Sequence, residues 1–171
     1  MIGAEAGFLK VSIARPALVG WLHAAPTAAC RWDDWSRRIW HVDGAARGAI
    51  FDDRTLADAA TVAARFAINH DLLLHLIGGA AAPSIAAFDN SGVFVAGTMC
   101  CSARPGDILA FLALARSLTD HLDRDGHAIA VVRNHGWSHG DAEATIDALL
   151  VRPFGKQRDQ IRIPAIADTR H

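Results

Sequence analysis

Residues 84–101 read SIAAFDNSGVFVAGTMCC. Two strand-like runs, 84–89 and 93–101, flank Asn90-Ser91-Gly92. A turn cluster of that kind between two strand-like runs marks a short β-hairpin, with the glycine suited to a left-handed position. Hairpin arms run antiparallel, so the sheet containing them cannot be wholly parallel. The second arm is apolar on both faces, which places it inside the sheet and not at its edge.

On either side of the hairpin the pattern changes to helical. Upstream, residues 55–77 carry Leu56, Ala60, Ala63, Ala64, Ala67, Ile68 and Leu72 at helix spacing and close on Gly78-Gly79, predicting one helix. Downstream, residues 105–123 start with Pro105 and Asp107, keep an apolar face and meet Gly126 beyond their end, predicting another. Residues 128–132 (AIAVV) read as a buried strand, 141–151 as a helix, and 161–166 (IRIPAI) as an edge strand, because Pro164 cannot donate to a ladder on both sides. Nearer the start, 7–14 (GFLKVSIA) is a strand, Pro16 opens a short helix, and 48–52 (GAIFD) is a brief strand. Trp32, Trp35 and Ile39 fall at helical spacing within the less regular stretch 26–48. The expected fold class is α/β (or α+β): one domain over residues 1–171, with a mixed β-sheet of about five to six strands, one hairpin, and helices packed on it.

Size and composition agree with that architecture. A chain of 171 residues fits one domain and buries roughly 70% of its extended-chain surface, so no metal or disulfide staple is required. Hydrophobic residues make up 51% and charged residues 20%, far from the composition of disorder. Lys plus Arg number 17 against 18 acids, and that balance recommends neither nucleic acid nor an anionic membrane as partner. Only Lys10 and Lys156 are lysines and tyrosine is absent while alanine abounds, as in the coding bias of a GC-rich bacterial genome. The three cysteines, Cys30, Cys100 and Cys101, are odd in number with two adjacent, so no disulfide framework is expected. The first residues, MIGAEAGFLK, show neither a basic nor an apolar leader segment, and the longest uncharged run, 72–88, is broken by His75, Gly78-Gly79 and Pro83. The expected location is the cytoplasm, with no membrane span.

The chemistry-bearing motif is RNHGWSHGD at 133–141, which contains Gly136-Trp137-Ser138-His139-Gly140, a G-x-S-x-G between a strand-like and a helix-like run. In this respect it resembles the α/β-hydrolase signature, whose strained turn lifts the serine oxygen above the sheet. The resemblance covers about fifteen residues and implies Ser138 as nucleophile, His135 or His171 as base and an acid such as Asp168 as orienter. That family places its acid and histidine after further strands, whereas only 33 residues follow Ser138 here, with Asp147, Asp159, Asp168 and His171 as candidates. The simpler reading is a turn in which Ser138 or Asp141 caps the next helix. His135 and His139 lack the glutamate of a zinc-protease helix, and Gly136 and Gly140 break a helix there. Residues 121–126 imitate the start of a calcium loop but place Val132 where the bidentate glutamate belongs, and Gly78-Gly79 has no following lysine to make a phosphate loop. No metal site or cofactor is expected.

Trp21, Trp32, Trp35 and Trp40 lie close together in the chain, interleaved with Asp33, Asp34, Arg37, Arg38 and His41. Tryptophan and arginine are the residues most enriched in binding hot spots, although Trp32, Trp35 and Ile39 suit the buried face of a short helix, with the charges solvated, better than they suit a binding surface. The leading expectation is a bacterial cytoplasmic protein-binding domain, concretely an immunity or antitoxin type that covers a cognate toxin through Trp32, Asp33, Asp34, Trp35, Arg37 and Arg38. It would act as a monomer or homodimer; the alternative is a small serine hydrolase.

Overall fold

A computed structural model describes residues 5–35, 39–41, 52–78, 84–102, 104–124, 126–134 and 146–151. In chain order the elements are β1 (Glu5–Ser12), α1 (Arg15–His23), a 3-10 turn (Ala29–Arg31), β2 (Ile39–His41), α2 (Asp53–Ala63) and α3 (Asn69–Ile77). They continue with β3 (Ser84–Phe88), β4 (Val93–Cys101), α4 (Pro105–Ser117), a second 3-10 turn (Leu118–Asp120), β5 (His127–Asn134) and β6 (Ile146–Val151). The class is α/β, an antiparallel sheet with helices packed on it, in the order β2-β6-β5-β1-β4-β3.

Every ladder described is antiparallel, which corrects the expectation of a mixed sheet. The reason lies in where α4 crosses. It links β4 to β5, and these two strands flank β1 instead of pairing with each other, each running antiparallel to it. A helical crossover therefore joins two like-directed strands without creating a parallel ladder.

The β3–β4 hairpin forms as its sequence predicts. Gly92 takes φ 83°, the left-handed conformation open to glycine. The Asp89 carboxylate ties the turn by accepting from the Ser91 amide (2.9 Å), the Ser91 hydroxyl (2.7 Å) and the Val93 amide (2.9 Å). These bonds favour its ionised form and hold the Asp89 carboxyl below its ordinary value, the Val93 amide contributing most.

One face of the sheet is buried under helices. Leu9 and Val11 on β1, Phe94, Ala96 and Thr98 on β4, and Ala128, Ala130 and Val132 on β5 are all buried, while the alternate residues Phe8, Lys10, His127 and Ile129 are exposed. Every residue of α4 from Gly106 to Ser117 except Asp107 is buried. Such a helix must be apolar on every side along its buried middle, as ILAFLALA at 108–115 is, because the sheet covers one side and other helices the opposite one. Gly106 lets α2 approach closely: a Cβ there would lie 2.8 Å from the Cβ of Asp58.

Three further expectations are corrected. The single helix over 55–77 is two, α2 and α3, separated at Ala64 to Ile68. The break is tertiary in origin, since Asn69 donates its amide to the Ala24 carbonyl (2.8 Å) and its side-chain Nδ2 to the Trp21 carbonyl (2.8 Å), pinning the start of α3 to the end of α1. Asp52, expected to end a strand, is instead the N-cap of α2, accepting from the Thr55 amide at 2.7 Å, and its carboxyl is held below the ordinary value chiefly by its bonds to Thr55. Ile39 lies in β2 and not on a helix. The expected edge strand at 161–166 falls outside the described residues.

Candidate functional site

The expected helix over 141–151 is corrected in its second half: Ile146–Val151 is strand β6, antiparallel to β5 with Arg133 opposite Ile146 and Ala128 opposite Val151. This bears directly on the G-x-S-x-G motif. A nucleophile elbow needs a helix after its turn, and so does a turn capped by Ser138 or Asp141. The motif and residues 141–145, which follow β5 and precede β6 in the chain, lie outside the described residues. Ser138, His135, His139, Asp159, Asp168 and His171 lie outside the described residues, while Asp147 stands in β6 opposite Val132 and His41.

The tryptophan segment builds a defined cluster at the C-terminal end of α4. Trp21 is fully buried, its Nε1 donating to the Ser117 hydroxyl at 2.8 Å, and Ser117 donates in turn to the Leu114 carbonyl at 2.7 Å. Trp35 is also core, its indole donating to the Ala29 carbonyl at 2.9 Å. Trp32 packs edge-on against Trp35, with ring centroids 5.5 Å apart at 84°, and is half-buried. The 3-10 turn Ala29–Arg31 makes this possible by folding the chain so that both indoles meet the same helix end.

Arg116 organises the cluster. Its guanidinium lies 4.9 Å from both the Trp32 and Trp35 rings, and its Nη2 donates to the Asp34 carboxylate, with only 11% and 20% of the two side chains exposed. A cation on two indoles, closed by a carboxylate, is one in which stacking and charge reinforce each other away from bulk water. On the outer side, Arg31 stands 5.6 Å from the Trp32 ring and bonds Asp120 at 2.9 Å, with half of each side chain exposed. Asp33 is exposed beside them.

The residues expected to bind a partner thus divide. Trp35 is committed to the core and Asp34 to Arg116, leaving Trp32 and Asp33 at the surface; Arg37 and Arg38 lie outside the described residues. Arg116, Arg31 and Asp120 complete the site and were missed from sequence. Arg116 had a signal, since a lone arginine inside the apolar run ILAFLALARS of a buried helix demands a counter-ion. Asp120 had none.

Near the imitated calcium loop, Gly126 donates its amide to the Asp123 carboxylate at 2.7 Å, a turn closure after the 3-10 segment. Among the described residues no group of three or more His, Cys, Asp or Glu is placed to hold a metal ion, and no helix is long and apolar enough to cross a membrane. Cys30 is exposed with a free thiol. The chain matches no protein-family profile, no curated protein and no solved structure.

Proposed function

We propose that this chain is a protein-binding domain of the bacterial cytoplasm, most concretely one of immunity or antitoxin type that blocks a toxin by covering it. The observation that supports the reading is the half-buried Trp32 indole, with the guanidinium groups of Arg116 and Arg31 4.9 Å and 5.6 Å from its ring centroid and with exposed Asp33 and Asp120 nearby. A tryptophan already fixed by its neighbours loses little conformational freedom when a partner lands on it. An aromatic anchor ringed by charges is the pattern of an interface hot spot. The outer ion pair is exposed enough to exchange partners at little cost, since such pairs contribute under about 1 kcal/mol.

The experiment is capture of a partner by the tagged full chain, repeated with Trp32→Ala and Asp33→Lys. Each substitution is expected to reduce capture by tenfold or more, the loss typical of a hot-spot truncation of about 1.4 kcal/mol or greater. Unchanged capture in both variants overturns the proposed surface.

A further inference from the structure

The strand at one end of the sheet, β3, has β4 on one side and no described strand on the other. Its five residues, Ser84-Ile85-Ala86-Ala87-Phe88, include no charge and no proline, and all are exposed except half-buried Phe88. Natural sheets blunt a free edge with lysine, proline or a bulge, because its unpaired amides and carbonyls recruit another strand. None of these devices is present within β3. The side of the sheet away from the helices is also apolar, with Phe8, Ile85 and Ile129 exposed by 37%, 47% and 41%.

We infer that β3 pairs antiparallel with β3 of a second copy of this chain about a two-fold axis at Ala86, joining two sheets into one. This goes beyond the partner-binding reading and does not depend on it. Residues opposed across an antiparallel pair must share a face. A two-fold at Ala86 meets that condition and keeps all five residues paired. It sets Ser84 opposite Phe88 of the second copy and Ile85 opposite Ala87 of the second copy, a small side chain against each large one. Charge selects the edge over the open face. Pairing across β3 opposes no ionised side chains, whereas stacking the two open faces about a two-fold would bring the exposed Lys10 groups of the inner strands toward each other. A five-residue edge is smaller than a standard interface, so association in the micromolar range is expected.

The test is sedimentation equilibrium of the full chain from about 1 to about 200 µM, the range where such weak association is read. The wild type should rise with concentration from the monomer mass toward twice that value. Ala86→Lys and Ala86→Glu, each placing like charges opposite each other at the axis, should remain monomeric alone and form the dimer when mixed; thermal melts establish that each is folded. Ile129→Lys, on the open face, should dimerise as the wild type does. A monomeric wild type at the highest concentration, a dimer that survives Ala86→Lys, or folded variants whose mixture stays monomeric would each overturn the inference.

Discussion

Single residues carry much of the local logic. On the open face Phe8 lies across Gly97, its register partner, so a Cβ at position 97 would stand 2.5 Å from the Phe8 ring and 2.6 Å from the Gly7 carbonyl. Gly97→Val should destabilise by about 2 kcal/mol or more, and adding Phe8→Ala should not restore stability, because the backbone oxygen stays in place. Urea melts of both variants check this. Asp89 brings a pH dependence. Its carboxyl titrates lower in the folded chain than the ordinary 3.8, so ionised Asp89 stabilises the fold above that value, and the contribution is lost as pH falls through the lower folded value. The difference in Tm between wild type and Asp89→Ala should therefore be widest near about pH 6 and narrow toward about pH 2. A difference independent of pH would show that the charge of Asp89 adds nothing to the turn. The hairpin was legible because Asp89 and Gly92 act within a few residues of each other, as did the start of α4 at Pro105.

At the scale of elements, legibility falls wherever a distant partner decides. DAEATIDALLV, residues 141–151, is rich in helix-formers, yet 146–151 pair with β5 and β2 because the ladders offered by two neighbouring strands outweigh intrinsic preference. Ala148→Val distinguishes the two conformations. In a strand it should be neutral or stabilising by up to about 1 kcal/mol, whereas in a helix it would destabilise by some tenths. A lowered urea midpoint would count against β6. Likewise nothing local in 64–68 announces a helix break; the contacts of Asn69 with the end of α1 impose it. Asn69→Ala should separate α3 from α1 and lower stability by about 1–3 kcal/mol, with amide exchange accelerated first in Asn69–Ile77.

Over the whole molecule, the Arg116–Asp34 pair joins the end of α4 to the segment after the first 3-10 turn, linking core and candidate surface. Asp34→Ala leaves a poorly solvated guanidinium without this carboxylate and should destabilise by about 3 kcal/mol, while Arg31→Ala, at the exposed pair, should change stability by less than about 1 kcal/mol. Comparable thermal shifts in the two variants would contradict this division of roles. From its sequence alone, this protein's α/β class, its hairpin and its apolar α4 followed directly, because periodicity, turn chemistry and composition act over short spans of chain. Tertiary structure alone decided the antiparallel course of the sheet, the strand identity of 146–151, the division at Ala64 to Ile68 and the assembly of Trp32, Trp35, Asp34 and Arg116. Each of those depends on groups far apart in sequence, and Arg116 meets Asp34 across 82 positions. No local propensity records which distant group will supply the compensating bond or charge once the chain has closed around its core.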